Sequence, residues 1–72
     1  METYKISSQK ELEKFKDDYG YYVNGNLEVA CSLNIEKSLR VDGYLFIEGS
    51  IEAGWLIEAG ESIKASGSIE AG

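Results

Sequence analysis

The chain has 72 residues and a formal net charge of -6, with 13 acidic residues against 7 basic ones, no histidine, no proline and one cysteine. That length allows one small domain whose core needs help from regular stacking or from association. A lone Cys31 excludes an internal disulfide framework and a paired-cysteine zinc site. No apolar run is long enough to cross a bilayer, and Met1-Glu2-Thr3-Tyr4-Lys5 lacks the basic and then apolar order of a signal peptide, so the expected compartment is a reducing cytoplasm.

At the N-terminus, Tyr4-Lys5-Ile6 reads as a short strand. Ser8-Gln9-Lys10-Glu11 has the spacing of a capping box, in which serine and glutamate satisfy free backbone donors at a helix start. An α-helix is expected from there to Gly20, a common helix stop, with Leu12, Phe15 and Tyr19 on one apolar face and the lysines and glutamates on the other. Residues 1–20 thus form a strand and a helical cap, and residues 21–72 form the body.

The body repeats every six residues. Large aliphatics fall at Leu27, Leu33, Leu39, Leu45, Ile51, Ile57, Ile63 and Ile69, with Tyr21 in the same frame, and two places later stand Val23, Val29, Ile35, Val41, Ile47, Ala53, Ala59, Ala65 and Ala71. Each unit is therefore a three-residue strand with both ends facing inward, followed by small and polar residues that include glycines suited to positive φ at a corner. A helix would repeat at three or four residues, and hairpins need longer strands. A strict period of six predicts a mainly β fold, a parallel β-helix of about three triangular coils in which residue i lies over residue i+18. In chain order this also predicts the outward columns Tyr22/Arg40/Glu58, Glu28/Phe46/Lys64 and Asn34/Glu52/Glu70.

Charge and chemistry narrow the function. Residues 1–20 carry a net -1 and residues 21–72 a net -5, so the body repels phosphate backbones and anionic lipid. That argues for a protein partner with a basic surface, and against direct nucleic-acid or membrane binding. No catalytic, cofactor or metal residues are expected: Cys31 has no histidine to activate it and sits at a corner, and Glu52 and Glu58 occupy outward places where charge solvates a sheet. Arg40 is placed to lie on the Tyr22 ring and to pair with Glu58. Tyr44, Trp55 and Leu56 hold corners that other units fill with small or charged residues. With Phe46 they are expected to frame the Tyr22/Arg40/Glu58 face as a partner-binding side. Ser68, Ile69, Glu70, Ala71 and Gly72 are still inside the repeat, and this last coil is expected to be an oligomer interface, joining a homodimer rather than a filament.

Leu39-Arg-Val-Asp-Gly43, Gly49-Ser-Ile-Glu-Ala-Gly54, Glu61-Ser-Ile-Lys-Ala65 and Gly67-Ser-Ile-Glu-Ala-Gly72 resemble the GSIEAG/GSIKAG hexad-repeat proteins of phages and bacterial genomes. The lead-in Glu11-Leu-Glu-Lys-Phe15 and Asn24-Gly-Asn-Leu-Glu-Val29 is similar to the segment ahead of the repeat in longer members. The hexads are also similar to those of bactofilins, the β-helical bacterial cytoskeletal proteins, and weakly to hexapeptide-repeat acyltransferases. The resemblance implies a β-helix of phage origin. With the acidity it implies a non-catalytic inhibitor of a host defence or nucleic-acid-binding protein, of the anti-CRISPR or nucleic-acid-mimic kind, acting in the host cytoplasm. The alternative it implies is a bactofilin-like self-assembling scaffold. A third class is a small-molecule sponge using Arg40 and Lys64 at a dimer seam.

Overall fold

The computed structural model describes residues 1–72. The strands are β1 Thr3–Ile6, β2 Lys16–Asp17, β3 Gly20–Val23, β4 Asn26–Val29, β5 Leu33–Ile35, β6 Ser38–Val41, β7 Leu45–Ile47, β8 Ile51–Ala53, β9 Ile57–Ala59, β10 Ile63–Ala65 and β11 Ile69–Ala71. They build three sheets: sheet A in the order β1-β4-β7-β10, sheet B in the order β2-β3-β6-β9 and sheet C in the order β5-β8-β11. All pairings are parallel except that of β2 with β3. From β4 onward the chain visits sheets A, C and B in rotation, and each strand pairs with the strand eighteen residues later: Leu27 with Leu45, Leu33 with Ile51, Leu39 with Ile57.

The alternation inside each triplet explains the burial. In β5, β7 and β8 the first and third residues are buried and the middle one is exposed, as a pleated strand with one face on a core requires. One cluster of 13 buried apolar residues fills the space between the sheets. Burial fades along the chain: β9 and β10 are half-buried at both inward places, and β11 is exposed throughout. No helix is long and apolar enough to cross a membrane.

The N-terminal segment differs from its expected form. β1 is the outer strand of sheet A, with Tyr4 beside Leu27 and Ile6 beside Val29, so it joins the stack at an offset of twenty-three residues instead of eighteen. The helix is a 3₁₀ helix of seven residues, Gln9–Phe15, and it stops well before Gly20. The glutamate half of the capping box is present: the Glu11 carboxylate accepts the Ser7 N–H at 2.5 Å and the Ser8 N–H at 3.1 Å, and these bonds hold its pKa below the ordinary carboxylate value. Leu12 is fully buried over the end of the core, and Phe15 packs edge-on against Tyr4 with ring centroids 5.3 Å apart. The chain then turns at Asp18-Tyr19 into the antiparallel β2–β3 pairing, with the Tyr19 N–H donated to Asp17 Oδ1 at 2.9 Å. The reason is edge satisfaction: β3 would otherwise present unpaired backbone groups, and continuing the helix to Gly20 would leave them bare. On sheet C the same task falls to one side chain. The Gln9 amide accepts the Asn34 N–H at 2.9 Å and donates to the Asn34 carbonyl at 2.7 Å, standing in for a peptide of an absent strand.

The glycines also differ in their reason. Positive φ occurs at Gly20 and at Gly25, which is one of the repeating corners, and not at the later corners. There the need is for space between stacked turns: a Cβ on Gly54 would run into the Glu36 carbonyl, and one on Gly60 into the Asp42 carbonyl. Beside these glycines, serines link the turns: Ser32 Oγ accepts the Ser50 N–H and Ser50 Oγ accepts the Ser68 N–H, both at 3.0 Å.

Two outcomes follow for stability. Leu45→Ala, at a position 1% exposed, lowers the unfolding free energy by about 2–5 kcal/mol, whereas Ile69→Ala, 47% exposed, changes it by less than about 1 kcal/mol, in urea titrations followed by circular dichroism. Gly54→Ala costs about 1–3 kcal/mol by forcing the two stacked corners apart, although Ala is the easier residue to place in most backbones.

Candidate functional site

The middle residue of every triplet points outward, so the sheet register decides which side chains meet on the surface. On sheet B, Tyr22 lies beside Arg40 and Arg40 beside Glu58. The Arg40 guanidinium stands 5.7 Å from the Tyr22 ring centroid, and its Nε is 3.6 Å from Glu58 Oε1, the only ion pair in the chain. Both partners of that pair are well exposed, so water screens it and it contributes a few tenths of a kcal/mol at most. Its role is to hold Arg40 flat along the sheet. The Tyr22 hydroxyl donates to the Asp42 carboxylate, which pins the ring across the next turn.

Beside this column runs a groove of about 370 Å³, lined in part by Asp17, Tyr19, Tyr22, Arg40 and Leu56. Leu56 and Trp55 form the corner between β8 and β9 and are 50% and 56% exposed. Trp55 is tied there through its backbone, whose N–H reaches the Lys37 carbonyl at 3.4 Å. Tyr19 was expected on the buried face of a helix. The structure puts it at the tip of the β2–β3 turn, 76% exposed, on the wall of this same groove. The signal for it was the turn-forming run Asp17-Asp18-Tyr19-Gly20, which favours an Asx turn over a last helical turn.

Tyr44 and Phe46 do not frame this face. The Tyr44 hydroxyl donates to Glu28, and its N–H is taken by Asn26 Oδ1 at 2.9 Å, so the half-buried ring lies toward sheet A. Phe46 is the middle residue of β7, flanked by Glu28 on β4 and Lys64 on β10, and it lines a second groove of about 360 Å³ with Lys5, Val29 and Glu48. The expected aromatic side is thus two surfaces. The Tyr44 hydroxyl turns to the Glu28 carboxylate, and residue 46 is the middle of β7, which belongs to sheet A.

The electrostatics follow the same division. Tyr22 and Tyr44 both have pKa values raised above the tyrosine norm, first because each hydroxyl donates to a carboxylate, Asp42 and Glu28 respectively. Tyr21 is raised chiefly by burial, with its hydroxyl bond to Glu13 at 3.2 Å adding to the effect and tying the helix to β3. On sheet C, Glu52 and Glu70 lie side by side with Asn34 and no cation in their column. Cys31 is a half-buried corner residue packed against the core, and no three His, Cys, Asp or Glu side chains converge as a metal-binding group. Ser68 to Gly72 run along the outer edge of sheet C on β11, with Ile69 47% exposed. The chain matches no protein-family model, no curated protein and no solved structure.

The tyrosine hydroxyl bonds make a signed pH prediction. A folded-state pKa above the unfolded value of about 10 gives a contribution that is intact below that value and is lost as pH rises through the folded one. Wild-type stability therefore falls above the ordinary tyrosine range, and the Tyr22→Phe/Tyr44→Phe double variant shows a shallower alkaline fall in chemical denaturation at stepped pH.

Proposed function

We propose that the chain is a short triangular β-helix of about three coils that acts as a non-catalytic, acidic binding protein. It is read as a phage-encoded inhibitor of a host defence or nucleic-acid-binding protein, of the anti-CRISPR or nucleic-acid-mimic kind, that covers a basic surface of its target. The observation that carries this reading is the exposed set Tyr19, Tyr22, Trp55 and Leu56 around Arg40 on a body of charge -6. Large apolar groups held in water beside a flat guanidinium are the composition in which interface energy concentrates, and the surrounding carboxylates add attraction and orientation toward a basic partner. The test is capture from bacterial host lysate by the wild-type chain and by Trp55→Ser/Leu56→Ser. The wild type retains a basic protein that is released at about 0.5 M salt, and the variant, equally folded by circular dichroism, loses at least about 90% of that capture, as removal of a hot spot does. Capture that the variant retains, or that salt leaves unchanged, contradicts the reading.

The unpaired outer edges of β9, β10 and β11, with Ile69 exposed, favour a second reading, a bactofilin-like self-assembling scaffold. Electron microscopy of the purified chain separates them: filaments support the scaffold, discrete particles the binder.

A further inference from the structure

We propose that the face formed by β9, β10 and β11 is a self-complementary interface for a second copy of this 72-residue chain, related by a two-fold axis that passes opposite the middle of β10, half a strand spacing beyond it. The premise is the register. Parallel pairing at eighteen residues means that each passage through the three sheets climbs one strand spacing, about 4.8 Å, so β9, β10 and β11 stand on steps about 1.6 Å apart. A two-fold axis perpendicular to the stack carries one of these strands onto its own copy and exchanges the other two. With the axis at β10, the lowest step of one copy meets the highest step of the other, and all three sheets continue at one common spacing. An axis at β9 leaves sheet B about 4.8 Å further apart than the other two, and an axis at β11 leaves sheets A and B about 4.8 Å further apart than sheet C, so either one leaves a strand missing.

The same axis makes every new strand pair antiparallel, and the side chains suit that reversal. The last three strands are all Ile-x-Ala: Ile57-Glu-Ala59, Ile63-Lys-Ala65 and Ile69-Glu-Ala71. Reversal sets Ile63 against Ala65 of the partner subunit, Ile57 against Ala71 of the partner subunit and Ile69 against Ala59 of the partner subunit. A branched chain meets a methyl in every sheet, and no two branched chains collide. The half-buried Ile57, Ala59, Ile63 and Ala65 and the exposed Ile69 would then enter one continuous core. The contact is small beside the roughly 1,200 Å² of a lasting complex, so main-chain pairing carries part of it and the dimer is a weak one. Charge identifies the axis. It puts Lys64 against Lys64 of the partner subunit and Glu58 against Glu70 of the partner subunit, exposed like-charge pairs that oppose association mildly.

Sedimentation equilibrium of the wild-type chain and two variants tests this. Dimerisation tightens as salt rises, opposite to the salt dependence proposed for a basic partner, so the two ideas fail separately. Glu70→Lys turns both Glu58 contacts attractive and tightens the dimer about three- to tenfold. Ala71→Ile, at a position already exposed in the single chain, confronts Ile57 of the partner subunit and weakens the dimer at least about tenfold. A wild-type chain that stays monomeric at about 100 μM, a concentration at which even weak specific pairs form, overturns the interface. A dimer weakened by Glu70→Lys overturns the axis, since only a different pairing sets Lys64 against Glu70 of the partner subunit.

Discussion

Parallel pairing at a fixed separation of eighteen residues is the constraint on which the rest of this molecule depends. It stacks Leu27, Leu45 and Ile63 in one line and Leu33, Ile51 and Ile69 in another, so the interior consists of columns of like residues. A slip of one residue would turn every triplet over and expose the core, so the register is held by the hydrophobic pattern along its whole length. The backbone bonds and the serine ladder through Ser32 and Ser50 repeat that same register. Stability in such a stack is shared between neighbouring turns, and the fall in burial from β8 to β11 marks where the last turn has a neighbour on one side only.

The register also distributes chemistry over the surface. Because the middle residue of each triplet always faces out, a column reads down one sheet as a line of side chains about 4.8 Å apart. Sheet B receives Tyr22, Arg40 and Glu58, sheet A receives Glu28, Phe46 and Lys64, and sheet C receives Asn34, Glu52 and Glu70. Several carboxylates are engaged inside the molecule, Asp42 and Glu28 by tyrosine hydroxyls, Glu58 by Arg40 and Glu11 by backbone N–H groups. The acidity is therefore partly structural. What stands out is the apolar corner at Trp55 and Leu56, next to Tyr19 and Tyr22.

Much of this was legible in the residues because a strict repeat states the same instruction nine times over. The β character, the pairing distance, the inward columns and the Arg40 contacts with Tyr22 and Glu58 all follow from period and pleat. The parts that escaped are those the chain states once. Nothing repeated says that the Gln9 amide will stand in for a strand against Asn34, or that the helix will give way at Lys16 to pair with Tyr21. The corner glycines were right in place, but positive φ is the cause at Gly25 only, and at the later corners crowding between turns demands the same residue. Tyr44 could not be assigned to a side from spacing alone, because a corner residue can turn either way and its hydroxyl bond to Glu28 decides.

The most direct test of the eighteen-residue register is a solution NMR map of backbone contacts across the sheets. The account requires inter-strand contacts between Leu39 and Ile57, between Leu45 and Ile63 and between Leu33 and Ile51, all in the parallel pattern. Contacts between sequential triplets in an antiparallel pattern, such as Leu39 with Ile47, would contradict it.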